Sequence, residues 1–123
     1  MTVRELFCRA LTLLNYTDSA GNVSGTQNAE LFKKAVPTVN LVLADILHIR
    51  GEKFCEISSP DDALPVPDDV ATRVMPYGVA MHIAQSENDG DNQQIMAITY
   101  NRLRGSVPRA HSVRANVLPT VTV

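Results

Sequence analysis

At 123 residues, 45% of them apolar, the chain is one domain with enough material for a real core. Aromatic residues make up only 5% and Trp is absent, so the core is aliphatic and expected to be helical. The two cysteines, Cys8 and Cys55, lack metal-ligand spacing, and no basic leader or long apolar run is present. These features argue against a disulfide scaffold, a secretory signal and a membrane span, and the chain is expected to be intracellular.

A net charge of −2 says little, but its distribution says more. Residues 1–51 hold five cations against four carboxylates, for a net of +1. Residues 52–101 hold two cations against nine carboxylates, for a net of −7. Residues 102–123 hold four arginines and no acid, for a net of +4. An acidic body with a basic end suits head-to-tail contacts between copies, or an acidic partner.

Thr2 with Glu5 three residues on has the form of a capping box. Val3, Leu6, Phe7, Ala10, Leu11 and Leu14 follow at helical spacing and predict a first helix over about 3–15. Thr17–Asn28 is a polar loop with Gly21 and Gly25, long for a helix connection. A second helix is expected from about Ala29, capped by Asn28, to Arg50, with Gly51 as its stop and a kink at Pro37. Its stripe is Phe32, Ala35, Val36, Val39, Val42, Leu43, Ile46 and Ile49. Leu31, Leu41 and Leu47 widen it, which makes this helix the expected spine, buried on most sides. Val39→Ala or Leu43→Ala is then expected to cost about 2–4 kcal/mol.

Glu52–Ser58 partly alternates and is expected as a short strand or hairpin arm. Ser59–Asp69 holds three prolines and reads as punctuation. Pro67 or Asp68 opens a third helix over about 69–87, with Val70, Val74, Tyr77 and Met81 on one face and a kink expected at Pro76. Gly78 allows close approach of a neighbour. The turn Asn88–Asp91, with Asp91 as cap, leads to a fourth helix over 92–104 that uses Ile95, Met96, Ile98, Tyr100 and Leu103 and stops at Gly105.

The last segment, Ser106–Val123, has Val107, Val113, Val117, Leu118, Val121 and Val123, two prolines, no glycine and no acid. Pro119 and the β-branched residues disfavour helix, and no preceding strand pairs with it as a hairpin. Disordered tails are usually polar and poor in β-branched residues, so this segment reads as an extended arm received by another chain, in preference to a last strand packed on its own domain or a frayed end. The expected organisation is therefore a helical domain over 1–105 and a partner-binding arm over 106–123. The fold class is all-α, a small four-helix domain.

No chemistry-bearing constellation emerges. His48, His82 and His111 are scattered, and His48 follows Asp45 by three residues. Asp61, Asp62, Asp68 and Asp69 stand beside prolines at a helix start, where capping and solvation outweigh metal or acid–base roles. Asp89, Gly90 and Asp91 lack the remaining ligands of a calcium loop. No phosphate loop, dinucleotide turn or nucleophile motif is present, so no catalytic residue, metal or cofactor is expected. Arg102, Arg104, Arg109 and Arg114 form the one basic cluster, with Tyr100 as its only nearby aromatic. This supports an alternative reading as a small DNA-binding protein, although the footprint is small. Pairing of these arginines with acids on another chain suits the apolar tail better.

The stretch Leu64–Arg104 has a proline-marked entry, a helix centred on Met75-Pro76-Tyr77-Gly78, the turn Glu87-Asn88-Asp89-Gly90-Asp91, and a polar helix with Tyr100 near its end. In this pattern it resembles the small head–tail connector proteins of tailed bacteriophages, also called adaptors or head-completion proteins. The order of first helix, body and C-terminal arm is similar as well. The resemblance implies a virion neck protein, made in the bacterial host cytoplasm, that forms a closed ring of commonly about twelve copies between the portal and the tail or next neck protein. DNA would pass through the lumen without sequence-specific contact, and no membrane would be involved. The residues expected to meet a partner are Arg102, Arg104, Val107, Arg109, Val113, Arg114, Val117, Leu118, Val121 and Val123.

Overall fold

The computed structural model describes residues 1–17 and 26–110, with the backbone alone at 26 and 27. Most of the Thr17–Asn28 loop and the arm beyond residue 110 lie outside the described residues. The described part is all-α, with helices α1 (Val3–Leu13), α2 (Thr26–Phe32), α3 (Ala35–Arg50), α4 (Asp68–Arg73), α5 (Met75–Ser86) and α6 (Gly90–Arg104). Among the described residues the only β contact is an isolated antiparallel bridge between Thr2 and Ala63.

The N-terminus folds as its capping pattern predicts. The Glu5 amide donates to Thr2 Oγ1 at 3.2 Å, and the Thr2 amide donates to Glu5 Oε1 at 3.1 Å. Two more amides at this helix start, those of Val3 and Arg4, donate to the carbonyls of Asp62 and Pro60 at 3.2 and 2.8 Å. The proline-rich connection thus closes the start of α1, and Asp61 reinforces it by accepting from Arg4 Nε at 3.1 Å.

Two of the four expected helices are each split in two, and the prolines explain why. Pro37 is the third residue of α3 and Pro76 the second of α5. In a first helical turn the amide has no intrahelical acceptor, so proline costs little there; deeper in a helix it would clash with the carbonyl four residues back. The chain breaks at Lys33–Lys34 and again at Val74 instead of kinking. The second helical stretch also begins earlier than expected. Asn28 lies inside α2 and is no cap; its side-chain amide donates to the Tyr16 carbonyl at 2.7 Å and ties α2 to the end of α1. The rings of Phe7 and Phe32 pack at 5.0 Å across the same junction.

The expected strand at Glu52–Ser58 does not form. The Asn40 side chain takes both backbone groups of Ile57, accepting from its amide and donating to its carbonyl at 2.9 Å each, and among the described residues no strand lies alongside. Gly51, at φ +74°, ends α3 in the left-handed region as expected.

Val39, Val42, Leu43, Ile46 and Leu47 of α3 are buried, but α5 is the element that packs against α1, α3, α4 and α6. Met75, Val79, Ala80, Ile83 and Ala84 fill that centre. Gly78 packs directly under α6: a Cβ there would stand 2.7 Å from Tyr100 Cε1. Asp89, not Asp91, caps α6, accepting from the Asn92 amide at 3.4 Å and from the Tyr16 hydroxyl at 2.7 Å. Only Met96 and Tyr100 of α6 are buried, so the expectation that Ile95 and Ile98 belong to the core is overturned. Each lies more than a quarter-turn around the helix from the Met96–Tyr100 line and faces outward.

Candidate interaction surface

The C-terminal ends of α3 and α6 meet at one polar cluster. Asp45 accepts from Tyr100 Oη at 2.6 Å and from Arg104 Nε and Nη2 at 2.8 and 2.5 Å, a two-pronged guanidinium contact. The Arg104 bonds, with help from Tyr100 and the charge of nearby His48, hold the Asp45 carboxyl below the usual carboxylate value against the effect of its partial burial. Burial, followed by the bond to Asp45, pushes the Tyr100 phenol upward. Because the unfolded chain binds its proton at Asp45 at higher pH than the folded one, this cluster contributes full stability above the ordinary carboxylate range. The contribution is lost as pH falls through the depressed folded value. Asp45→Asn is accordingly expected to flatten the loss of stability as pH falls below the ordinary carboxylate range, read by denaturant titrations at descending pH.

The cluster anchors the start of the C-terminal segment. The Ser106 and Val107 amides donate to the Leu103 and Arg104 carbonyls at 3.0 and 3.2 Å, and Val107 is buried against the helices. Arg50, in the last turn of α3, donates through Nη1 to the Pro108 carbonyl at 3.2 Å, pairs through Nε with Glu52 at 2.6 Å, and accepts from the Ala110 amide through its carbonyl at 2.9 Å. The Arg109 guanidinium lies over Gly51, where a Cβ would come within 2.7 Å of Nη2. Residues 106–110 therefore pack on the chain's own body, which extends past the expected boundary at 105.

The expected partner-binding residues divide accordingly. Arg102 is exposed; Arg104 is committed to Asp45; Val107 packs inward; Arg109 is exposed beside Gly51. Val113, Arg114, Val117, Leu118, Val121 and Val123 lie outside the described residues. Arg50 was missed as an anchor, although its place just before a glycine stop is where a long cation meets carbonyls leaving the helix.

Four large apolar side chains are exposed on the described surface: Leu41 at 60%, Phe54 at 44%, Ile95 at 56% and Ile98 at 62%. Leu41 thus departs from the expectation of an α3 buried on most sides. A cleft of about 360 Å³ lies between α1 and the α4–α5 junction, lined by Cys8, Arg9, Thr12, Leu13, Thr72, Pro76 and Tyr77. Burial pushes the Cys8 thiol upward, and the lining offers it no histidine or carboxylate as a base. His48 is exposed on α3, while partial burial of His82 on α5 holds its imidazole below the usual value. Among the described residues no group of three or more His, Cys, Asp or Glu side chains is placed to hold a metal ion, and no helix is long and apolar enough to cross a membrane. Comparison of the chain with protein-family models, with curated proteins and with solved structures finds no match.

Proposed function

We propose that this chain is a structural adaptor of a tailed-phage neck, assembling as a ring between portal and tail with DNA passing through its lumen. The observation that carries the reading is the anchored exit of the C-terminal segment. Arg50, Val107 and Ala110 fix the chain to the end of the helical body, and the sequence then continues with β-branched residues, Arg114 and no acid. A helical body presenting such an extension suits a protein whose work is to join other chains by strand addition or groove binding. Arg114 would set the register against an acid on the receiving chain. The resemblance of Leu64–Arg104 to the connector family points the same way. The DNA-binding alternative is weakened because Arg104, one of its four arginines, is spent on Asp45.

The test is a truncation after Ala110, which keeps every anchoring contact. The shortened chain is expected to retain its helicity and thermal midpoint and to lose assembly on portal particles, seen as rings by electron microscopy with the full chain and as bare portals without the segment. Undiminished rings with the truncated chain would sink the proposal.

A further inference from the structure

The outward stripe of α6 reads Asp91, Ile95, Ile98, Arg102, with steps of four, three and four residues. These steps keep all four on one line along the helix. All four are exposed, the two isoleucines by more than half. Among the described residues neither Asp91 nor Arg102 has an ion-pair or hydrogen-bond partner for its side chain, so both are available to another chain. Asp89, and not Asp91, serves as the helix cap, so Asp91 is left without that task.

The stripe is palindromic in spacing and complementary to its own reverse in charge: acid, isoleucine, isoleucine, base. We propose that it is a self-docking face, on which α6 of a second copy lies antiparallel about a two-fold axis between Ile95 and Ile98. In that arrangement Ile95 of each copy meets Ile98 of the other, and Asp91 of each meets Arg102 of the other. The contact is isologous, one patch serving both sides. A parallel pairing would set Asp91 against Asp91 and Arg102 against Arg102, so charge selects the antiparallel one. The flanking exposed residues Gln94 and Asn101 are neutral, and no like charges are brought opposite one another. A shallow crossing of about 20° keeps both ends of the stripe in contact. One helix face on each side buries less than the roughly 1,200 Å² of a standard stable interface, which places the pair in the weak, reversible class. This inference stands apart from the neck reading, since it concerns the free chain and uses no residue beyond 110.

The experiment is sedimentation velocity on the full chain, kept reduced, from low micromolar to several hundred micromolar concentration. The wild type is expected to move from monomer toward dimer across that range. Ile98→Asp, at an exposed site, is expected to abolish the shift with an unchanged helical spectrum. Asp91→Arg and Arg102→Asp are each expected to weaken self-pairing at least about tenfold, because like charges then face one another. An equimolar mixture of those two variants should recover the dimer, since every facing pair is again opposite in sign. A chain monomeric throughout, a dimer that survives Ile98→Asp, or a variant mixture that stays monomeric would each overturn the proposal. The mixture carries the decision even if Ile98→Asp loses its fold.

Discussion

Leu43→Ala is expected to lower the unfolding free energy by about 2–4 kcal/mol. Leu43 is fully buried on α3, among Val39, Val42, Ile46 and Leu47 of its own helix, on the side that packs against α1 and α5. Truncation removes three carbon atoms from a site enclosed by regular helices, whose backbones cannot easily collapse into the gap. The cost is therefore the lost transfer energy plus that of a residual cavity. Leu41→Ala, two residues away, is the internal control. That side chain is 60% exposed, so its loss should change stability by no more than about 0.5 kcal/mol. Urea titrations of both variants check the pair. A loss under half a kcal/mol at Leu43 would mean that α3 does not face the core there.

Gly78→Ala is expected to cost about 1–3 kcal/mol by overpacking, although alanine is ordinarily the better helix former. The added methyl would stand 2.7 Å from Tyr100 Cε1 and 3.0 Å from its Cδ1 and Cζ. The ring cannot swing away cheaply, because its hydroxyl is held by Asp45 at 2.6 Å and Asp45 is held in turn by Arg104. Either α6 lifts from α5 or the Asp45 cluster breaks. Tyr100→Phe in the Gly78→Ala background separates the two. If the hydroxyl bond is what pins the ring, the double variant should lose less than the sum of the single losses, as a double-mutant cycle of melting curves would show. A Gly78→Ala protein as stable as the wild type would mean that α5 and α6 are not in the close contact described.

Local chemistry was legible in part: the caps expected at Asn28 and Asp91 did not form there, but other short-range signals held. The Thr2–Glu5 capping box, the glycine stop at Gly51 and the need for Gly78 at a close approach all follow from short-range rules, and the structure has each of them. The prolines marked the right neighbourhoods but the wrong events. A proline in a helical pattern predicts a kink, whereas the chain avoids the carbonyl clash by starting a new helix just before Pro37 and Pro76.

By itself the sequence determined the all-α class, the helix-forming stretches and the apolar face of α1, because spacing at the helical period decides which side chains share a face. Only the tertiary structure decided which of several apolar residues each face would spend inward. On α6 the stripes Met96–Tyr100 and Ile95–Ile98 are equally apolar in pattern, and the close approach to Gly78 draws the first inward and leaves the second to solvent. The same holds for charge. Arg104 and Arg102 are two residues apart and alike in sequence, yet Arg104 reaches Asp45, fifty-nine positions away along the chain, while Arg102 points outward. Pairings over such separations depend on how the helices cross, and that is set by the packing of the whole core, which no local pattern encodes.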